Sequence, residues 1–140
     1  MRSAESSAGG TGAARPRILV VDDEEPIRRI LQIMLARLGY EADCVGTAEQ
    51  ATATYQAARQ AGRPYAAAIV DLSLAEGVTG LDVLENLRRL DPAVRAVLVS
   101  GYVRDPSEGA ALPDGFRSTL PKPFRTEDLT RALRQALESA

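Results

Sequence analysis

Hydrophobic residues along the chain fall into short solid runs separated by longer stretches with helical spacing. The first run, Ile18-Leu19-Val20-Val21, is rich in β-branched residues and stops abruptly at Asp22-Asp23-Glu24-Glu25. A run this short and this apolar predicts a strand buried on both faces of a parallel sheet. Pro26 stands where a first helical turn tolerates it. Ile27, Ile30, Leu31, Met34, Leu35 and Leu38 follow at helical spacing, and Gly39 supplies a stop. Residues 41–45 carry a weaker strand signal. Thr47, with Gln50 three residues on, reads as the capped start of an Ala-rich helix that runs to about residue 61. Residues 65–70 are again solidly apolar and end at Asp71.

Residues 72–79 read as a loop, followed by a helix over 80–90 with Leu81, Leu84, Leu87 and Leu90 on one face. Asp91-Pro92 breaks it. Residues 93–99 predict a fourth strand ending in Ser100-Gly101, and residues 106–111 a short, poorly patterned helix. After a turn at Pro113-Asp114-Gly115, residues 116–120 predict a fifth strand, leading to Pro121-Lys122-Pro123. A last helix spans about 126–138, with Leu129, Leu133 and Leu137 in register. The β-α alternation occurs five times, which predicts an α/β fold: a doubly wound parallel sheet with helices on both faces. Right-handed crossovers leave few topologies for it. Residues 1–14, rich in Ser, Gly and Ala, read as a disordered tail and not as a signal peptide, which leaves residues 15–140 as one domain.

Composition narrows the chemistry. The chain has no histidine and one cysteine, Cys44. This excludes a Ser-His-Asp or Cys-His device, a disulfide within the chain and a zinc site of the usual ligands. Metal binding must use oxygen donors, which suit Mg2+, Mn2+ or Ca2+. A net charge of −2 gives no bias towards nucleic acid or an anionic membrane. No apolar stretch approaches the roughly 20 residues that span a bilayer, so the expectation is a cytoplasmic protein.

In doubly wound sheets, ligands sit outside the carboxyl ends of the strands. The first strand ends at Asp22 and Asp23, the third at Asp71, the fourth at Ser100, and the fifth is followed by Lys122. Crowded carboxylates repel one another, and a divalent cation removes that cost. A carboxylate is also a nucleophile towards phosphorus, and a transferred phosphoryl group needs cations and donors around its oxygens. Each residue alone has an ordinary explanation. An acidic pair complements a helix N-terminus, Ser before Gly is a common turn, and Asp71 reads equally as a loop carboxylate. Their joint occurrence in this order is what points to one site.

Four segments then carry a family resemblance: Ile18-Leu19-Val20-Val21-Asp22-Asp23-Glu24, Ile69-Val70-Asp71-Leu72, Val99-Ser100-Gly101-Tyr102 and Leu120-Pro121-Lys122-Pro123-Phe124. Together they resemble the receiver domain of two-component response regulators, over about residues 16–139. The resemblance implies a flavodoxin-like fold and a phosphoacceptor at Asp71. It implies Mg2+, with Mn2+ as a substitute, held by Asp22, Asp23, Asp71 and the backbone carbonyl of Ser73. Lys122 and Ser100 would bind the phosphoryl group, with Ser100 moving as it does so. The phosphodonor would be a histidine kinase or histidine phosphotransfer protein, docking near Pro26, Ile27 and Ile30, of which Ile27 and Ile30 read equally well as core.

Three departures stand out. The loop after Asp71 has Ala75 where many receivers have proline, and Gly80 comes one residue late, as in receivers of hybrid histidine kinases. The position three before Lys122, usually an aromatic switch residue, is Thr119, with Tyr102 and Phe116 as the nearby aromatics. Residues 103–113 are poorly patterned, which marks the adjoining output face as unusual. The expected activity is confined to the protein's own phosphorylation and dephosphorylation, with signalling through a partner protein, no direct nucleic-acid contact, and dimerisation on phosphorylation left open. The start at Met1 and the end just after the last helix favour a stand-alone regulator over a piece of a hybrid kinase. Two alternatives stay open: a receiver-like adaptor that works without phosphorylation, and a haloacid-dehalogenase-like phosphatase, against which the adjacent Asp22-Asp23 and the lack of a cap insertion both speak.

Overall fold

The structure is a computed structural model that describes residues 15–100 and 115–138. Five strands alternate with helices: β1 Arg17–Val21, α1 Glu25–Arg37, β2 Glu41–Val45, α2 Ala48–Gln60, β3 Ala67–Asp71, α3 Gly80–Leu90, β4 Ala96–Ser100, β5 Phe116–Pro121 and α4 Thr126–Glu138. All strand pairings are parallel, in the order β2-β1-β3-β4-β5. This is the flavodoxin-like order. The chain runs outward from β1 to β2 and then returns past β1 to β3, so the crevice opens where β1 and β3 end.

The solid apolar runs are explained by burial on both faces. Leu19, Val21, Ala68, Val70, Ala96 and Leu98 point to one side, against Ala51, Tyr55 and Ala58 of α2 and Val83, Leu84 and Leu87 of α3. Ile18, Val20, Ala67, Ile69, Val97 and Val99 point to the other, against Leu31 and Leu35 of α1 and Leu129, Ala132, Leu133 and Ala136 of α4. Alternation along each strand thus feeds two cores.

Several expectations are refined. β3 begins at Ala67 instead of residue 65, and β4 at Ala96 instead of residue 93. The residues before each are claimed by turns and side-chain bonds: Tyr65 reaches Asp43, and the Ala93 N–H donates to Asp91 Oδ1 at 3.0 Å. On α3 the buried stripe is Gly80, Val83, Leu84 and Leu87, while Leu81 is 45% exposed. A 100° advance per residue carries Leu81 off that stripe. On α1 Leu31 and Leu35 are buried, but Ile30 and Ile33 are exposed. A bulge at the start of β5 pairs Val97 with Ser118 after Ala96 with Phe116. It lets Phe116 join the α2/α3 core while Leu120 joins the α1/α4 core. The tail expected over residues 1–14 and the helix expected over 106–111 lie outside the described residues.

Candidate functional site: an acidic crevice at the strand ends

Asp22 follows β1 directly, and its N–H still pairs with the Val45 carbonyl of β2 at 3.1 Å, so the strand delivers it in place. Asp71 is the last residue of β3 and is buried. Lys122 follows β5, tied to β4 by its N–H on the Ser100 carbonyl at 2.8 Å. The Lys122–Pro123 peptide is cis. The sheet therefore brings Asp22, Asp71 and Lys122 together from three strands. Lys122 Nζ lies 3.3 Å from Asp71 Oδ2, 3.5 Å from Asp22 Oδ2 and 3.7 Å from Glu24 Oε2. Ser100 closes β4 on the same edge and is half-buried.

Asp22, Asp23, Glu24 and Asp71 can each turn a carboxylate oxygen to within 4.8 Å of the others. Asp22 and Asp71 are buried, Asp23 and Glu24 exposed. The Asp22 carboxylate accepts from the Glu24 N–H at 2.9 Å through Oδ1. Its Oδ2 is fully buried and has no hydrogen-bond donor closer than the Lys122 ammonium at 3.5 Å. Burial pushes the Asp22 carboxyl above the usual carboxylate range, and the Asp71 charge adds to this, against the Glu24 N–H and Lys122. Burial pushes the Lys122 ammonium down, but Asp22 and Asp71 outweigh it and leave the pKa raised.

A divalent cation fits these residues. The donors are all carboxylate oxygens, and one of them is buried and under-satisfied, an expensive state that an oxygen-seeking cation relieves. Asp22, Asp23 and Asp71 supply charge. The Ser73 N–H sits over Asp71 Oδ1 at 3.4 Å, so its loop lies at the crevice too.

That loop absorbs the extra residue noted in the sequence. Ser73 and Thr79 form an antiparallel bridge, the Leu74 N–H donates to Val78, and a short turn at Ala75–Gly77 closes the tip. Glu76 takes φ 64°, unusual outside glycine, and Gly77 takes φ 75°. This tight tip returns the chain to Gly80, where a Cβ would lie 2.6 Å from the Asp71 carbonyl oxygen. Only glycine permits that approach. Thr79 and Asp82 then form a reciprocal capping box on α3, which the sequence reading passed over although the Thr-x-x-Asp spacing carries its signal.

Other expected positions are placed as follows. Thr119 is exposed between buried Ser118 and Leu120. Phe116 is buried in the α2/α3 core, and Tyr102 lies outside the described residues. Pro26 and Ile30 are exposed near the crevice end of α1, whereas Ile27 is partly buried against the α1/α4 core. Two residues were overlooked. Glu24 joins the acidic group, and Arg28 donates through Nη1 to the Asp22 carbonyl at 2.6 Å. Arg28 precedes Leu31 and Leu35 by three and seven positions, so a charged residue on the buried stripe of α1 was the available signal.

Comparison with known proteins settles the family. The profile of the response regulator receiver domain matches residues 18–134. The chain belongs to the response-regulator receiver family. The photosynthetic apparatus regulatory protein RegA of Rhodovulum sulfidophilum is 37% identical over 118 residues, covering 84% of this chain and 61% of that protein. The transcriptional regulatory protein AruR of Pseudomonas aeruginosa is 33% identical, covering 89% of this chain and 53% of its own. The chain thus spans little more than half the length of these relatives. A sensor protein from Polaromonas sp. JS666, 34% identical, superposes with a TM-score of 0.72 over 89% of this chain and 98% of that one. The chemotaxis protein CheY4 of Vibrio cholerae, at 24% identity, TM-score 0.75 and coverage of 89% and 100%, shares the fold. Among the described residues, no helix is long and apolar enough to cross a membrane.

Proposed function

We propose that this receiver takes a phosphoryl group onto Asp71 from a phosphohistidine of a histidine kinase or histidine phosphotransfer protein, in a Mg2+-dependent step. The observation that carries the reading is the buried Asp71 carboxylate, held 3.3 Å from Lys122 at the rim of a four-carboxylate group. One Asp71 oxygen forms the new bond to phosphorus as the bond from phosphorus to the imidazole nitrogen breaks. The nitrogen keeps the electron pair and takes a proton. Asp22, Asp23, Asp71 and the Ser73 carbonyl would hold the cation, which supplies positive charge against the phosphoryl oxygens. Mn2+ would serve in its place. Lys122 neutralises a further oxygen, and the Ser100 hydroxyl donates to another.

Its chemistry is limited to its own phosphoaspartate, made and then hydrolysed, with no turnover of an outside substrate. The signal passes by protein contact. Ser100 draws towards the phosphoryl group and shifts the equilibrium of the neighbouring output face. With Thr119 exposed on β5 in the place of an aromatic, that shift does not use the rotation of a ring there. AruR is named a transcriptional regulatory protein, so a transcriptional output is the reading it favours for a longer protein, with DNA contacts outside this receiver part. The exposed residues Pro26 and Ile30 are where the phosphodonor would dock.

The test is intact mass after incubation with Mg2+ and acetyl phosphate, for the wild type and Asp71→Asn. An adduct on the wild type alone, lost with EDTA, is expected. A wild type that stays unmodified, with a cognate kinase as well as with acetyl phosphate, would sink the proposal and favour an adaptor that works without phosphorylation.

A further inference from the structure

We propose that Arg28 is a positioning residue for the acidic crevice, setting the cation affinity of Asp22 and Asp23 by gripping the backbone between them. The inference rests on the reading of those aspartates as cation ligands. Arg28 sits in the second turn of α1, its own N–H bonded to the Glu24 carbonyl at 3.1 Å. From there its side chain turns back over the β1–α1 connection, and Nη1 donates to the Asp22 carbonyl oxygen at 2.6 Å. A charge-assisted bond of this length is among the stronger kinds. That carbonyl belongs to the peptide linking Asp22 to Asp23, so its direction governs how the two carboxylates are presented. The Asp22 N–H is held by Val45 and its Oδ1 by the Glu24 N–H. Without Arg28, the Asp22 carbonyl would lose its fastening, and the chain after it would be held to Asp22 through Oδ1.

The guanidinium needs space, and Gly46 in the β2–α2 connection provides it. A Cβ at Gly46 would lie 3.1 Å from Arg28 Nη1 and 3.9 Å from the Asp22 carbonyl oxygen. One charged side chain therefore links three parts of the molecule: the start of α1, the end of β1 and the loop after β2. The contact is to the peptide and not to the carboxylate, so Arg28 acts on the direction of the Asp22–Asp23 backbone. Groups that orient ligands without touching the metal commonly contribute tenfold or more to affinity.

The experiment measures Mg2+ binding by isothermal titration calorimetry, and metal-free melting temperature and amide chemical shifts, for the wild type, Arg28→Met, Arg28→Lys and Gly46→Ala. Arg28→Met keeps the aliphatic stem but loses the donor, and its Mg2+ dissociation constant should rise about tenfold. Arg28→Lys, which retains one donor, should recover most of the affinity while melting with Arg28→Met in the absence of metal. The metal-free amide shifts of Asp23 and Glu24 should move in Arg28→Met. Gly46→Ala should weaken binding in the wild type, with little further effect beside Arg28→Met, because both act on one contact. Wild-type affinity in Arg28→Met, or Arg28→Lys as weak as Arg28→Met, overturns the role of Arg28 while leaving the cation site standing. A wild type that binds no Mg2+ overturns the cation reading itself and this role with it.

Discussion

The ammonium of Lys122 stands 3.3 Å from Oδ2 of Asp71, a residue 51 positions earlier in the chain. It is also within 3.5 Å of Asp22 Oδ2, so one cation is shared by two buried carboxylates. Lys122 is one of the groups that hold the Asp22 carboxyl down against burial and against Asp71. Substituting Lys122→Met should therefore move the titration midpoint of Asp22 further up, as followed by carboxyl carbon NMR on metal-free protein. For Lys122 the raised pKa means that its stabilisation is fully present below the unfolded value of 10.5 and is lost as pH rises through the folded value. A midpoint for Asp22 that falls or stays put in Lys122→Met would contradict this account.

Divalent cations should stabilise the protein. A ligand at a hundred times its dissociation constant adds about 2.7 kcal/mol to the folded state. The carboxylate of Asp22 is buried with one under-satisfied oxygen, so it costs stability while metal is absent. Asp22→Asn should accordingly lose most of the Mg2+-induced rise in melting temperature, yet be no less stable than the wild type in EDTA. Paired melting curves with Mg2+ and with EDTA check both halves, and a lower EDTA melting point for the variant would refute the second.

Gly80 has no room for a side chain. With the Asp71 carbonyl oxygen 2.6 Å from a built Cβ, Gly80→Ala must displace either α3 or the end of β3. Overpacking of this kind costs about 1–3 kcal/mol. The displaced atom belongs to the proposed phosphoacceptor, so the yield of phosphoryl adduct from acetyl phosphate should fall together with the urea midpoint. Wild-type stability and full adduct would show that the contact is readily relieved.

At the opposite end of the sheet, Asp91 accepts from the Tyr55 hydroxyl at 2.8 Å and pairs with Arg59 at 2.9 Å. Burial raises the Asp91 carboxyl, but the Tyr55 hydroxyl, the Ala93 N–H and Arg59 outweigh it and leave the pKa lowered. Its contribution is present above the unfolded value of 3.8 and disappears as pH falls through the folded one. Asp91→Asn should flatten the acid limb of stability against pH, measured by urea unfolding from neutral pH downward. Tyr55→Phe should cost about 1 kcal/mol at neutral pH and flatten that limb in part. An acid limb unchanged in Asp91→Asn would show that other carboxylates govern it.

Much of this was readable along the chain because both faces of the sheet are buried. Ile18 to Val21 and Ala67 to Val70 leave water whichever way they point, so they must be apolar throughout, and a solid run is visible without knowing the partner strands. The acidic residues were legible for a related reason. Asp22 and Asp71 interrupt such runs at the point where each strand leaves the core. Amphipathic detail was less secure. Leu81 and Ile30 are apolar at helical spacing yet exposed, because spacing marks a stripe but not which edge of it meets the sheet. The position of Arg28 on the buried stripe of α1 marked it as unusual but not its partner, which is a carbonyl outside its helix. The fold of the loop from Ser73 to Thr79 depends on Glu76 taking a backbone conformation that its residue type does not announce.

The sequence by itself determined the order of strands and helices and the side-chain types at the strand ends, because burial and capping are local demands on each segment. It also determined the family, through four short segments whose spacing follows from the lengths of those elements. Only the tertiary structure decided that β1, β3 and β5 end within reach of one lysine, that Glu24 joins the acidic group, that Gly80 packs against the Asp71 backbone and that Arg28 holds the Asp22 carbonyl. The first is a distance between residues far apart in the chain, set by pairing order and crossover hand; the others follow from how each connection closes over the strand end.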